Sequence, residues 1–307
     1  MNGNNNNLCS IGCLSYNHKD FLSQCVKSLW SQTYKKIEII ILDDGSVDGS
    51  RELIKNLQEN SLVPMKVIFQ KRSANIGKNL NTIIRNATGK YITFISSDDF
   101  LYPDALSSKI GLMEKDENLV FIANKKYSEI REKENKFTDK FFEGFISEKY
   151  DTPDDLLKME FKYLNSFFIQ GVVFRRSIID AVGGFDEDLL GDDIVLRTKI
   201  FMYMIKKKYL TFKIFDFPSV YYRLHDSNLH GNIFRQIKLI VEWHKRYFSN
   251  KPFPDLLADW IAHAIKEYSS SKEFKKIFFI LFLDRKILFS GFRIKVLNKM
   301  KLLNEMK

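Results

Sequence analysis

Four runs of aliphatic, β-branched and aromatic residues, at 8–14, 37–42, 65–69 and 91–95, are separated by stretches long enough for one helix each. In the first stretch Phe21, Leu22, Cys25, Val26, Leu29 and Trp30 recur every three or four residues, the period of an amphipathic helix. Residues 51–58, with Asp48 and Ser50 as caps, and residues 75–86 read the same way. Strand and helix alternating at this length predict a mainly parallel sheet with right-handed crossovers and helices on both faces. Two of the runs end in adjacent carboxylates: 37–42 in Asp43-Asp44-Gly45-Ser46, and 91–95 in Ser96-Ser97-Asp98-Asp99. Such turns place negative charge at the carboxyl edge of the sheet, where open α/β folds bind ligands. The paired acids repel one another unless a cation or hydrogen-bond donors compensate them.

Beyond Asp99 the pattern changes. Residues 104–114 and 155–163 read as helices and 119–123 as a strand, whereas 125–142 is so polar and charged that it reads as a loop or lid. A strand at 169–174 runs through Arg175-Arg176 into a helix at 177–182. From 231 onward the chain is helical, at 233–248 and 256–268, with a break at Pro252 and Pro254 and a basic, Phe-rich end. There Phe274, Ile277, Phe278 and Leu281 share one helical face, with Lys272, Lys275, Lys276 and Lys286 outside it.

The charge is uneven. Of a net +10, most lies between Lys266 and Lys307, where 11 Lys plus Arg face 4 Asp plus Glu. That end reads either as an amphipathic surface for anionic lipid headgroups or as a solvated helical cap on the fold. No stacked-aromatic motif or recognition-helix pattern supports a nucleic-acid partner. The longest late apolar run, 277–283, is closed by Asp284-Arg285-Lys286 and falls well short of the ~20 residues a spanning helix needs. Cys9, Cys13 and Cys25 lack metal-ligand spacing and read as reduced thiols, and no secretory leader is visible. Together these place the chain in the cytoplasm, with peripheral contact at the inner face of the membrane if the tail is lipid-binding.

Five ordered motifs, SYNHKDFLSQCVKSLWSQTYKKIEIIILDDGSVDGS, NIGKNLN, GKYITFISSDDF, GGFDEDLLGDD and YYRLH, together resemble the glycosyltransferase family 2 proteins of the GT-A fold. The resemblance covers residues 8–230. It implies a catalytic domain over 1–230, with a nucleotide-sugar half at 8–104 and an acceptor half at 105–230, followed by a helical basic region at 231–307. It also implies an inverting transferase. The donor would be a nucleoside diphosphate sugar, with a UDP-linked hexose or N-acetylhexosamine favoured, and the acceptor a lipid-linked or surface glycan.

By the same resemblance Asp98 holds Mg²⁺ or Mn²⁺ with His225 beside it, and Ser96 stands where the family usually has a first carboxylate. Ser97, Asp98 and Asp99 then meet the nucleotide sugar from one side, and Ser15, Tyr16 and Asn17 from the adjacent loop. Asp44 matches the position that bonds the base, although the sequence leaves open whether Asp43 or Asp44 points inward. Arg72 and Lys78 match positions that face the diphosphate. On the acceptor side Asp186 belongs to the GGFDE signature, Asp192 is assigned to orientation and Asp193 is the general base. A sugar hydroxyl is a poor nucleophile until its proton is taken, and such a base contributes about 10²–10⁴-fold. The four other histidines are expected on the surface or in the core. The competing readings are a sugar-phosphate nucleotidyltransferase, whose Gly-rich basic loop LSYNH does not provide, and a non-catalytic basic binding protein.

Overall fold

The computed structural model describes residues 7–131, 136–190, 193–225, 232–271, 273–284, 287 and 291–305. Strands β1 (Cys9–Ser15), β2 (Ile37–Asp43), β3 (Met65–Phe69) and β4 (Tyr91–Ser96) alternate with helices α1 (Lys19–Trp30), α2 (Ser50–Glu59) and α3 (Ile76–Asn86). There follow β5 (Phe100–Leu101), α4 (Ser107–Met113), β6 (Leu119–Asn124), β7 (Lys126–Arg131), β8 (Lys136–Phe141), α5 (Gly144–Ser147) and α6 (Pro153–Tyr163). Then come β9 (Val173–Arg175), α7 (Arg176–Ala181), α8 (Asp193–Lys206), β10 (Thr211–Phe215) and β11 (Val220–Arg223). The chain continues with α9 (Ile233–Tyr247), α10 (Asp255–Ser270), α11 (Phe274–Phe282) and α12 (Gly291–Glu305).

Seven strands form one sheet in the order β10-β6-β9-β4-β1-β2-β3, parallel except for β9, which runs against both β4 and β6. The expected mainly parallel sheet is therefore present, and β9 joins the two halves of the 8–230 region into a single sheet. Ile39, Ile40, Ile41 and Leu42 are fully buried. Each contributes about 1.5–3 kcal/mol through loss of apolar surface to water. That burial fixes the register of β2 and carries the acids that follow it to the sheet's edge.

One face packs Leu22, Cys25, Val26 and Leu29 of α1 and Ile54 of α2 on β1 and β2. The other face packs Leu80 and Ile83 of α3 and Leu196, Ile200 and Phe201 of α8. Two caps fix helix starts at this level. Asn75 Oδ1 accepts the Lys78 N–H at 2.9 Å to open α3, and Thr152 and Asp155 form a reciprocal capping box on α6.

The 125–142 segment is not the expected loop. β7 and β8 pair antiparallel within a second sheet, β5-β11-β7-β8. Strand periodicity is masked there because one inward position is Ser128, whose Oγ donates to Asp139 Oδ1 at 2.5 Å and shares a 2.7 Å bond with Tyr102 Oη. The strand expected at 169–174 is confined to β9, and β10 is an element the sequence reading did not separate. The C-terminal helices build their own core: Trp243 and Ile240 of α9, Leu257 and Ile261 of α10, Ile280 of α11, and Phe292 and Val296 of α12. The same core takes in Leu164 and, from α8, Ile194 and Val195, so these helices pack against the preceding region.

Candidate active site

β1 lies between β2 and β4, and the three strands end level, with Ser15 opposite Asp43 and Leu14 opposite Ser96. The two acidic turns are therefore not neighbours. Residues 16–18 sit between them and tie to both. Asn17 takes the left-handed conformation, φ 53°, which asparagine tolerates better than most residues. Its N–H donates to Ser46 Oγ at 2.8 Å, and its Oδ1 accepts the Val47 N–H at 2.9 Å. The reversal turns the next residue, His18, the other way, where its Nδ1 shares a 2.9 Å hydrogen bond with Ser97 Oγ.

At the β2 end the ambiguous pair divides its work. Asp43 is buried and serves its own turn, accepting the Gly45 and Ser46 N–H groups at 3.2 and 3.0 Å and Arg51 Nε at 2.7 Å. Asp44 turns toward residues 70–74. It accepts Ser73 N–H at 2.8 Å, Ala74 N–H at 3.0 Å and Gln70 Nε2 at 2.7 Å, and pairs with Arg72 Nη1. Burial pushes the Asp44 carboxyl upward, but the Ser73, Gln70 and Ala74 donors outweigh it and hold the group below the usual carboxylate range. The Arg72 guanidinium also stacks on Tyr16, 3.5 Å from the ring centroid. Arg72 thus stands at the Asp44 end of the edge. Lys78 is exposed on the first turn of α3, and Ser15 is buried at the end of β1.

At the β4 end the acids meet a built counter-charge. Asp99 is buried, accepting the Arg223 N–H at 2.8 Å and Gln170 Nε2 at 2.7 Å. Gln170 also takes the Ser96 N–H through Oε1 at 2.8 Å, so one side chain clamps both ends of the turn. Arg223, itself buried, donates from Nε to the Asp98 carbonyl at 2.8 Å and from Nη2 to Gln24 Oε1 at 2.5 Å. Burial and the charge of Asp98 push Asp99 well above the carboxylate range, against the Arg223 and Gln170 donors.

β11 pairs antiparallel with β5, which directly follows the turn, and this carries His225 back to Asp98. His225 Nε2 lies 3.1 Å from Asp98 Oδ2, and His18 Nε2 lies 3.7 Å from the same oxygen. Burial raises the Asp98 carboxyl, but the His225 hydrogen bond and the adjacent His18 hold it below its ordinary value. One ligand atom from each of His18, Asp98 and His225 fall within 4.8 Å of one another. Asp98 Oδ1 is buried with no hydrogen-bond partner among the described residues. A carboxylate oxygen left unsatisfied beside two imidazoles fits a divalent cation.

Asp193 opens α8. Its Oδ2 accepts the Ile169 N–H at 2.9 Å and lies 3.5 Å from Arg197 Nη1, and the side chain is 25% exposed. Ile169 and Gln170 are consecutive, so the residue that fixes Asp193 adjoins the one that clamps the Asp98-Asp99 turn. Asp192 lies outside the described residues. Asp186 accepts Lys199 Nζ at 2.9 Å, Arg246 Nη1 at 3.1 Å and Tyr247 Oη at 2.5 Å, and therefore binds α8 and α9 together. The NIGKNLN and GGFDE motifs prove to be one packing unit. Asn81 exchanges two 2.9 Å bonds with the Phe185 backbone, and Asn75 Nδ2 donates to the Glu187 carbonyl at 2.6 Å. Gly184, at φ 62°, leaves room for this, since a Cβ there would stand 2.5 Å from Asn81 Oδ1.

The family profile described as Glycosyl transferase family 2 matches residues 10–183. The chain belongs to glycosyltransferase family 2. It is 28% identical over 211 residues to glycosyltransferase GlyA of Streptococcus pneumoniae, an alignment covering 66% of this chain and 29% of that protein. The chain thus spans less than a third of that relative's length. It is 26% identical over 286 residues to the GalNAc(5)-diNAcBac-PP-undecaprenol beta-1,3-glucosyltransferase of Campylobacter jejuni, covering 87% and 85% of the two chains. In fold it is similar to residues 1–349 of Staphylococcus aureus TarS solved with UDP-GlcNAc, with a TM-score of 0.62, 13% identity, and coverage of 97% and 90%.

This glycosyltransferase family 2 chain brings Ser15, Tyr16, Asn17, Asp44 and Arg72 to one end of the carboxyl edge and Ser97, Asp98, Asp99 and His225 to the other. Asp186 is instead an internal latch, and Asp99 is engaged behind the turn. His18, expected on the surface or in the core, stands at Asp98. Arg223 and Gln170 were also missed. Arg223 lies inside the YYRLH motif, and the need for a cation under two adjacent acids pointed to such a residue. Gln170 carries no local signal.

Proposed function

We propose that the chain is an inverting transferase that moves a hexose or N-acetylhexosamine from a UDP-sugar to a hydroxyl of a lipid-linked or surface glycan. One observation carries the reading. The Ile169 N–H holds Asp193, and the next residue, Gln170, clamps the Ser96–Asp99 turn that carries Asp98 and its partner His225. That arrangement supports a division of labour in which the turn binds the diphosphate and Asp193 takes the acceptor proton. A Mg²⁺ or Mn²⁺ ion on Asp98 and His225 would neutralise the departing diphosphate. Tyr16 and Asp44 receive the base, with Arg72 as the polar cover over it. Direct displacement inverts the anomeric centre, so an α-linked donor gives a β-glycoside. The Campylobacter jejuni relative, which aligns over most of both chains, is named for β-glucosyl transfer to a diphospho-undecaprenol-linked glycan.

The test is release of nucleoside diphosphate from UDP-, GDP- and dTDP-sugars with Mn²⁺ or EDTA. One UDP-sugar is expected to be hydrolysed slowly, with the reaction lost in EDTA and in Asp98→Ala. If no sugar nucleotide binds, the reading falls.

For the acceptor side we propose that the tail rests on an anionic membrane surface. No helix among the described residues is long and apolar enough to span a membrane. Yet Phe279 and Phe282 on α11 and Ile294, Leu297 and Leu302 on α12 are 44–73% exposed, among exposed Lys275, Arg293 and Lys301. Truncation at Tyr268 would remove the buried Ile280, Phe292 and Val296, so surface substitutions are the sound probe. Phe282→Glu with Leu297→Glu is expected to weaken partition onto phosphatidylglycerol vesicles by about tenfold or more, since each bulky apolar side chain withdrawn from water is worth about 1.5–3 kcal/mol. Unchanged partition in sedimentation would refute the membrane role.

A further inference from the structure

We infer that His18 is a direct metal ligand, so that the cation site of this chain is built from two imidazoles and one carboxylate and selects Mn²⁺ or another divalent transition ion over Mg²⁺. The inference rests on the transferase reading for its purpose, but the site itself stands on geometry. Ser96 occupies the position where the family resemblance expects a first carboxylate, and a hydroxyl is a poor substitute ligand. The loop after β1 supplies an imidazole. His18 Nε2 and His225 Nε2 approach the same Asp98 oxygen at 3.7 and 3.1 Å. Two donors each about 2.0–2.2 Å from a shared ion stand about 3–3.5 Å apart; the His225 separation of 3.1 Å falls in that range and the His18 separation of 3.7 Å lies just beyond it.

The rest of His18 is arranged as a ligand's surroundings are. Its second ring nitrogen, Nδ1, bonds Ser97 Oγ at 2.9 Å. A ring whose Nδ1–H donates there presents the Nε2 lone pair to Asp98, the outer-shell bond that fixes a ligating imidazole. The His18 and His225 rings meet edge-on, with centroids 5.9 Å apart and planes at 83°, so both nitrogens converge without stacking. Asp98 is 8% exposed, and its Oδ1 has no hydrogen-bond partner among the described residues. Imidazole suits the later divalent transition ions, whereas carboxylate and water suit Mg²⁺, Ca²⁺ and Mn²⁺; of these three, Mn²⁺ is the transition ion and the one with appreciable affinity for imidazole nitrogen. A site with one carboxylate and two imidazoles therefore discriminates against Mg²⁺.

The experiment is Mn²⁺ titration of the full chain followed by electron paramagnetic resonance, with nitrogen couplings read by electron spin echo envelope modulation. Wild type is expected to show two coupled histidine nitrogens. His18→Ala and His225→Ala should each show one and the double variant none. His18→Ala should weaken Mn²⁺ binding by about 10–100-fold, and Ser97→Ala, which keeps the ligand but loses its anchor, by about tenfold. Mg²⁺, measured by competition, should change far less. Two nitrogen couplings retained in folded His18→Ala, or one only in the wild type, would overturn the inference even if donor turnover were normal. Two couplings in a protein that bound no sugar nucleotide would uphold the site and refute the transferase reading.

Discussion

Asp193→Asn is expected to lower kcat for sugar transfer by about 10²–10⁴-fold, the contribution of a positioned general base, while leaving the donor KM near its wild-type value. The split follows from the two functions of the side chain. An amide retains an oxygen for the Ile169 N–H, which Asp193 Oδ2 accepts at 2.9 Å, so the start of α8 stays in place. What it loses is the capacity to take a proton from the attacking hydroxyl. On the proposed reading the donor is held by the Asp44 and Asp98 turns, and among the described residues Asp193 makes no hydrogen bond to either turn, so the change spares donor binding. Steady-state kinetics with the sugar nucleotide that the hydrolysis panel selects, together with calorimetric donor binding, read both quantities. A variant with wild-type kcat would place the base elsewhere. A variant with weakened donor binding and normal kcat would make Asp193 a donor-site residue.

The sheet and its acidic edge were legible because apolar burial is a local signal. Ile39, Ile40, Ile41 and Leu42 report a strand covered on both faces, and the carboxylates that follow report where it ends. What the sequence could not convey is which ends lie side by side. Strand order puts β1 between the two acidic turns, and only that order makes His18, seventy-nine residues from Ser97, a neighbour of Asp98. Gln170 is invisible for the same reason, since its two partners, Ser96 and Asp99, are reached by a long-range crossing. The β7–β8 hairpin failed as a reading for a different cause: an inward slot filled by the hydrogen-bonded Ser128 breaks the apolar alternation on which strand recognition depends. Asp186 shows the limit of motif reasoning. The resemblance located a segment near the acceptor side, but three donors from α8 and α9 make that carboxylate part of the frame. Its pKa is held below the carboxylate range because those donors overcome the upward push of burial.

The largest effect on stability is expected at the base of α8. Arg197 and Glu160 are 1% and 0% exposed and meet through two bonds, Nε to Oε2 at 2.7 Å and Nη2 to Oε1 at 2.9 Å. Glu160 Oε2 also accepts from Ser166 Oγ, and Arg197 Nη1 donates to the Phe167 carbonyl. Arg197→Met would leave the Glu160 charge buried without its counter-ion, a loss of about 3–5 kcal/mol, seen as a fall in Tm on the order of 10 °C. Glu160→Leu with Arg197→Met removes both charges and is expected to be less damaging than the single change, because a buried pair replaced by apolar groups is often close to neutral. A single variant within about 1 kcal/mol of wild type would mean that water reaches Glu160. If Asp193 is the base, as proposed, the pair also bears on catalysis, since Arg197 Nη1 stands 3.5 Å from Asp193 Oδ2 and its carbonyl partner Phe167 is two residues before Ile169. Below its Tm the Arg197→Met protein should therefore show a reduced kcat as well, and the double variant should recover stability more fully than activity. Recovery of both to the same degree would mean that Arg197 supports α8 without positioning the base.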